Sequence, residues 1–123
     1  MNSWEVEELK GIDLGDQRLN RRATQLLGEL GAKPSQSIPT ACGGWAETQA
    51  AYRFFDNNKV SVEKILHPHQ TATQQRIDQH SVVILLHDTT ELDYTGHLNT
   101  EGIGPLANGP CRGMLLHVTL AVT

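Results

Sequence analysis

Hydrophobic and polar residues follow a helical spacing in the first two thirds of this chain and an extended spacing after it. A first long helix is predicted from Asp16, which can cap its N-terminus, to about Leu30, with Gly31 as its C-terminal stop. Its apolar residues recur at intervals that place them on one face: Leu19, Ala23, Leu26, Leu27 and Leu30. Such a stripe is typical of a helix that packs one side against a core.

A second helix is predicted from Trp45 to about Phe55. Residues 33–44, just before it, have the Pro, Ser and Gly content of a loop. The aromatic residues near its end are predicted to form core and packing surface, and base stacking is the alternative role: Tyr52, Phe54 and Phe55.

A third helix is predicted to start after Ser61, which can cap it. Pro68 cannot continue an undisturbed helix, because it lacks an N–H group and its ring meets the preceding turn. The sequence therefore predicts a kink or a restart at Pro68, with the remainder of the helix running to about Asp78.

Two strands are predicted after the helices. The run from Val82 to Leu86 is wholly apolar, which predicts a strand over Val82–His87 that is buried on both faces and has Asp88 at its exit. Residues 89–94 can extend it, and a glycine-rich stretch with several turn signals follows. Met114–Val122 is predicted to form the second strand.

The order of these elements predicts an α+β fold, with a helical domain over residues 1–79 and the opening strands of a sheet over residues 80–123. The second strand is still in progress at Thr123, so we expect a fragment of a longer protein whose sheet has further strands.

Composition is that of an ordinary soluble domain. The 123 residues are 38% hydrophobic, the longest apolar run is far too short to cross a bilayer, and the acidic start does not resemble a signal peptide. Cys42 and Cys111 are far apart and have no CxxC pattern, so we expect two free thiols in a reducing cytoplasm.

The net charge of -4 conceals three blocks of opposite sign. Residues 1–16 carry -4, residues 17–76 carry +4 and residues 77–123 carry -4. A basic helical middle beside an acidic strand region is typical of a phosphate-binding part joined to a cation-binding part, although solvated helix faces would give a similar imbalance.

Arginines supply much of the basic block. Arg18, Arg21 and Arg22 fall away from the apolar stripe of the first long helix, so its first two turns present three guanidinium groups outward. Arg53 is directed away from the packing side of the second helix. The alternative for the first three is a solvated helix face.

Asp88 is the candidate metal ligand. A carboxylate anchored by a rigid strand can hold a hard cation, and a turn or capping role is the alternative. Glu91 and Asp93 follow it, but in an extended chain both project on the opposite face, so the three carboxylates need not converge. A two-ion phosphoryl-transfer site needs several carboxylates, and this chain supplies at most the first.

Histidines offer a second metal hypothesis. The closest approach to a cluster in the sequence is His67, His69, His80 and His87. Their spacing is not a recognised zinc pattern, and a helix-end surface is the alternative to a zinc site.

Four segments, in order, complete the sequence pattern. They are GDQRLNRR at residues 15–22, AYRFFDNNKVS at residues 51–61, LHDTT at residues 86–90, and Arg112-Gly113 with His117. Their order and spacing resemble the N-terminal part of bacterial insertion-sequence transposases of the DDE class, the cut-and-paste type.

The resemblance implies a helical domain that grips transposon-end DNA, followed by the opening strands of a ribonuclease-H-like catalytic domain. Arg18, Arg22 and Arg53 match residues that touch DNA in that family, and Asp88 matches the first metal-binding Asp of the catalytic triad. Arg21 matches no family arginine and is included for its charge alone.

The implied partner is double-stranded DNA, with a homodimer or pairing with full-length transposase as further expectations. The complete enzyme would use Mg²⁺ or Mn²⁺, in the bacterial cytoplasm and at the nucleoid when bound to DNA. The remaining Asp and Glu of the triad lie beyond Thr123, so we expect no strand cutting by this chain alone. The alternative function is a non-catalytic DNA-binding module or an inhibitor of transposition.

Overall fold

Helices precede strands along the chain, which confirms the predicted α+β fold. The computed structural model describes residues 3–123, and its elements in that range are α1 (Trp4–Glu8), α2 (Gln17–Ala32), α3 (Ile38–Cys42), α4 (Trp45–Phe55), α5 (Val62–Ile77), β1 (Ile84–Asp93), β2 (Gly104–Pro105) and β3 (Arg112–Val122). The chain forms two compact units, Met1–Asp78 and Gln79–Thr123. No helix within the described range is long and apolar enough to cross a membrane.

Helix α2 begins where the sequence predicts and ends later. The Asp16 side chain accepts a hydrogen bond from the Arg18 backbone N–H at 2.8 Å, which confirms the predicted cap. Gly31 is not the stop, because the helix continues to Ala32. A Cβ at residue 31 would lie 2.7 Å from Cζ2 of Trp4, so the glycine makes room for the α1 tryptophan.

The predicted loop over residues 33–44 is partly wrong, because it contains helix α3. Ser37 precedes this helix, and Pro39 occupies its first turn, where a missing N–H costs little. Gly43 ends it at φ 80°, a left-handed conformation that favours glycine. Helix α4 then spans the predicted residues.

One hydrophobic core holds the helical unit together. Its buried residues come from the α1–α2 segment, α2, α3 and α4: Leu9, Leu14, Ala23, Leu26, Cys42, Ala51 and Phe54. Burial raises the pKa of the Cys42 thiol, and a hydrogen bond with Glu29 adds to this. Phe54 is buried and Phe55 packs edge-on against it at 5.5 Å between ring centroids, so the predicted core and packing surface is confirmed for these two rings. Tyr52 is about half exposed, and the prediction is wrong for it.

Helix α5 is continuous, so the predicted restart at Pro68 is wrong. Ser61 caps it through a 3.3 Å hydrogen bond from the Lys64 N–H, as the sequence predicts. Pro68 lies inside the helix and is buried. Its missing N–H leaves the Lys64 carbonyl without its usual helical donor, and the packing of the buried ring offsets that loss.

The second unit is a small antiparallel sheet with the strand order β1-β3-β2. Strand β1 pairs with β3 along its whole length, from Ile84 opposite Val122 to Asp93 opposite Gly113. Strand β3 confirms the second predicted strand and begins two residues earlier, and β2 forms a short pair within the glycine-rich stretch.

Two expectations about the first strand are wrong. The strand continues to Asp93, so Asp88 is its fifth residue and does not lie at its exit. The strand is not buried on both faces either, because Ile84, Leu85 and Leu86 are 60%, 51% and 51% exposed. In the described part of the chain β1 is an edge strand of a three-stranded sheet, and an apolar run cannot by itself distinguish that position from a central one.

Candidate functional site

The N-terminus of α2 fixes the orientation of Arg18. Its Nη2 and Nε atoms donate to the Asp16 carboxylate at 3.1 and 3.3 Å, while the Arg18 side chain stays 84% exposed. Hydrogen bonds from Arg18 lower the pKa of the Asp16 carboxyl group. Arg18 is therefore accessible to a ligand, but Asp16 partly compensates its charge.

Arg22 lies one turn after Arg18, on the same side of α2. Its Nη1 donates to Gln25 Oε1 at 3.2 Å, and Gln25 Nε2 donates in turn to Glu29 Oε1 at 2.7 Å. Residues 18, 22, 25 and 29 are three or four apart, so this polar row runs along one side of the helix. Ala23 and Leu26 are buried on the neighbouring side of α2, and the row meets the core at Glu29, which is hydrogen-bonded to Cys42.

Arg21 lies at the edge of this row and is exposed. It borders a shallow groove between the α1 segment and α2, lined also by Val6, Ile12 and Thr24. Among the described residues it makes no ion pair. A ligand could therefore reach its guanidinium without displacing an internal carboxylate.

Arg53 lies on another helix, in the last turn of α4, and is exposed. Helix α4 packs into the same core as α2, through Ala51 and Phe54 on one side and Ala23 and Leu26 on the other. The structure thus groups Arg18, Arg21 and Arg22 on one helix, with Arg53 on a helix packed against it.

Lys59 is a basic residue near the start of α2 that the sequence did not single out. Its charge contributes to the lowered pKa of Asp16, which places it near the N-terminus of α2. The turn after α4 holds it, with the Lys59 N–H donating to Asn57 Oδ1 at 3.0 Å. The Asn57-Asn58 pair predicts that turn, but only the packing of the helices brings Lys59 close to Asp16.

Asp88 stands on β1 opposite Val118 and is exposed. Glu91 and Asp93 project on the other face of the extended strand, as the sequence predicts. Both have other partners: Glu91 Oε1 accepts from the Ala107 N–H at 3.2 Å, and Asp93 Oδ1 accepts from the Thr95 N–H at 2.8 Å. Hydrogen bonds from Thr95 lower the pKa of Asp93.

This geometry does not build a metal centre from the described residues. No group of three or more His, Cys, Asp or Glu side chains within residues 3–123 could hold an ion. Asp88 offers one carboxylate, while a two-ion site needs several around the same point. Asp88 could therefore supply one ligand of a two-ion site, and the described residues do not supply the others.

The histidines of the zinc hypothesis are distributed over several elements. His69 on α5 is hydrogen-bonded to Glu8 of α1. His87 on β1 stacks on His117 of β3 at 5.6 Å between ring centroids, and each ring is hydrogen-bonded to a threonine of the opposite strand. These pairs bring at most two ligands together.

A comparison with protein families bears on the helical unit. Residues 1–60 match the family described as transposase DNA-binding. The matched segment contains α1 to α4, with Arg18, Arg21, Arg22 and Arg53, and does not include Asp88. The match supports an interpretation of this chain as the N-terminal part of a transposase. It also supports a DNA-binding role in transposition.

Proposed function

We propose that this chain is the N-terminal part of a bacterial insertion-sequence transposase of the DDE class, and that it binds transposon-end DNA. The family match over residues 1–60, together with arginines exposed on the sides of α2 and α4 away from the core, carries the proposal. The strands of the second unit are proposed to open a ribonuclease-H-like domain, on the strength of the sequence resemblance around Asp88.

Phosphate contacts are the proposed source of affinity. Guanidinium groups suit phosphate oxygens because their N–H donors can form two parallel hydrogen bonds. Arg21 and Arg53 have no internal ion-pair partner among the described residues, whereas Arg18 must share its charge with Asp16. We therefore expect Arg21 and Arg53 each to contribute more binding free energy than Arg18. Arg18 can bind a phosphate fully only after its hydrogen bonds to Asp16 are partly broken.

Asp88 is proposed to supply the first Mg²⁺ or Mn²⁺ ligand of the complete enzyme. Such an ion would activate water and stabilise the charge that develops during phosphodiester cleavage. The described carboxylates do not converge on Asp88, so residues 1–123 alone are proposed to bind DNA without cutting it. We propose that the chain acts in the bacterial cytoplasm, and at the nucleoid when it is bound to DNA.

The test is a fluorescence-polarisation titration of the full chain with a short labelled duplex, selected by the chain itself from a random-sequence library. Binding should weaken steeply as salt rises, because bound arginines release counterions from the duplex. Arg53→Ala should weaken binding and lower the slope of log K against log salt by about 1. Arg112→Ala, in the sheet unit, is the matched control and should bind like the unchanged chain.

Salt-independent binding, or no selected duplex at all, would overturn the proposal. An equal loss in the Arg53 and Arg112 variants would also count against it, since it would show that total charge matters and the helical unit does not.

The single carboxylate favours a second function, a non-catalytic module that occupies transposon ends or pairs with full-length transposase. It predicts that Asp88→Ala leaves DNA binding unchanged or slightly stronger, because the substitution removes one negative charge near a polyanion. A large loss of affinity in this variant, measured in the same titration, would contradict the idea.

A further inference from the structure

Two large aromatic side chains lie on the outward face of α4. Trp45 is 77% exposed and Tyr52 is 53% exposed, while Ala51 and Phe54 face the core and Thr48, one turn from each ring, is also buried. A separation of seven residues is two helical turns, so both rings project from the same side, about 10 Å apart along the axis. Two exposed rings on one helix face mark a candidate contact surface, because aromatic residues are enriched where proteins contact partners.

Polar side chains accompany these rings. Gln49 is four residues after Trp45 and three before Tyr52, so it lies on the same face, and Arg53 lies four residues after Gln49. A guanidinium group with no ion-pair partner among the described residues favours a polyanion over an apolar protein surface. The family match includes this helix, which makes duplex DNA the occupant we commit to.

The surroundings of Trp45 leave room for a duplex. The indole borders a shallow groove lined by Pro39, Thr40, Gly43 and Gly44. Open space beside Gly43 lets a sugar-phosphate backbone approach the ring closely, whereas the Glu47 carboxylate lies against Gly44. An α-helix fits the major groove of B-DNA, which is about 12 Å wide.

We infer, on the basis of the proposed DNA-binding function, that Trp45 and Tyr52 make the sequence-selective contacts of α4 in the major groove of the transposon end. The rings contact base edges and thymine methyl groups, and Gln49 reaches a base edge between them. Arg53 binds a neighbouring phosphate. Phosphate contacts position a protein on DNA without reading its sequence. The two rings therefore supply the sequence selectivity that the arginine contacts cannot give.

The test compares the full chain with its Trp45→Ala and Tyr52→Ala variants on two duplexes, one selected by the chain from a random library and one of scrambled sequence. Each variant should lose roughly tenfold in affinity for the selected duplex and much less for the scrambled one. The salt dependence should stay that of the unchanged chain, because no charge is removed. Trp45→Phe and Tyr52→Phe keep a ring and should retain most of the selectivity.

Val62→Ala is the matched control, because Val62 is 68% exposed on a different helix of the same unit. Thermal unfolding of every variant shows whether the fold is intact, and both ring positions are exposed enough for alanine to be tolerated. Unchanged selectivity in both alanine variants would overturn this inference, even where Arg53→Ala still weakens binding and the proposed function stands. Loss of binding to both duplexes in equal proportion would overturn it as well.

Discussion

Gly31 shows how one residue can mislead a prediction made from local signals. A glycine after an apolar stripe commonly ends a helix, yet here the helix continues past Gly31. The Trp4 indole occupies the space that a side chain at residue 31 would fill. Sequence spacing cannot reveal that contact, because Trp4 lies 27 positions earlier in the chain.

A substitution at Gly31 separates two opposing effects. Alanine should stabilise α2 by about 1 kcal/mol through helix propensity, but its Cβ would lie 2.7 Å from the indole of Trp4 and displace it. We therefore expect Gly31→Ala to stabilise the Trp4→Ala variant more than it stabilises the unchanged chain. Urea unfolding of the four proteins measures this coupling, and additive effects would show that the indole contact is unimportant.

Gly113, in the sheet, lies where backbone atoms leave no room for a side chain. A Cβ there would overlap the backbone carbonyl oxygen of Leu92 on the paired strand, and backbone cannot move aside as a flexible side chain can. Gly113→Ala should destabilise the sheet by about 2 kcal/mol or more. Gly104→Ala is the matched control, since its Cβ would meet nothing within 4 Å; equal hydrogen-exchange rates of β1 and β3 amides in both variants would contradict this expectation.

At the scale of elements, Glu8 joins α1 to α5. Its carboxylate accepts from Arg76 Nη1 and Nη2 at 2.9 and 3.0 Å, is hydrogen-bonded to His69, and has a side chain that is only 16% exposed. The Arg76 hydrogen bonds lower the pKa of Glu8 from its usual 4.5, the His69 bond adds to this, and burial opposes it.

Glu8→Gln should therefore destabilise the helical unit by about 1 to 3 kcal/mol near neutral pH. A lowered pKa in the folded state stabilises the fold above pH 4.5, and this stabilisation is lost as pH falls through the lowered value. The difference between Glu8→Gln and the unchanged chain should shrink below pH 4.5 in urea titrations. The Val62→Ala variant, as control, should keep the pH dependence of the unchanged chain, because it alters no ionisable group and Val62 is exposed.

Elements with strong local signals could be predicted from the sequence, and positions that depend on distant contacts could not. The caps at Asp16 and Ser61 and the span of α4 follow from side chains within a few residues. The depth of β1 in its sheet does not, because an apolar run is compatible with a central or an edge strand. The sequence indicated that residues 89–94 could extend the strand past Asp88, and the structure confirms this extension as far as Asp93.

The candidate site likewise has features that the sequence predicts and features that it does not. Helical periodicity places three arginines of α2 away from its apolar stripe, and the structure leaves Arg18 and Arg21 exposed and Arg22 half-buried. The Asp16–Arg18 ion pair is also local, at a separation of two residues. Lys59 near Asp16, and the exposure of Tyr52 beside the buried Phe54, depend on how α2, α4 and the following turn pack together.

At the scale of the whole molecule, ion pairs reduce the basic charge that DNA can use. Residues 17–76 carry +4, but Arg18 is paired with Asp16 and Arg76 with Glu8, both acids of the first segment. The cations left for phosphates are therefore fewer than the eight basic residues of that block. Affinity that exceeds what so few phosphate contacts can supply would have to come from nonionic contacts, such as those inferred for α4.

The two units should respond differently to DNA. A ligand that binds only the folded helical unit stabilises that unit by about 2.7 kcal/mol when its free concentration is 100 times Kd. It leaves the stability of a sheet that it does not contact unchanged. Hydrogen exchange of the full chain should therefore slow in α2 and α4 when the selected duplex is added, while β1 and β3 exchange at their former rates. Because β1 carries exposed apolar residues and the acidic Asp88, it has little attraction for phosphates, and strong protection there would move the proposed interface to the sheet.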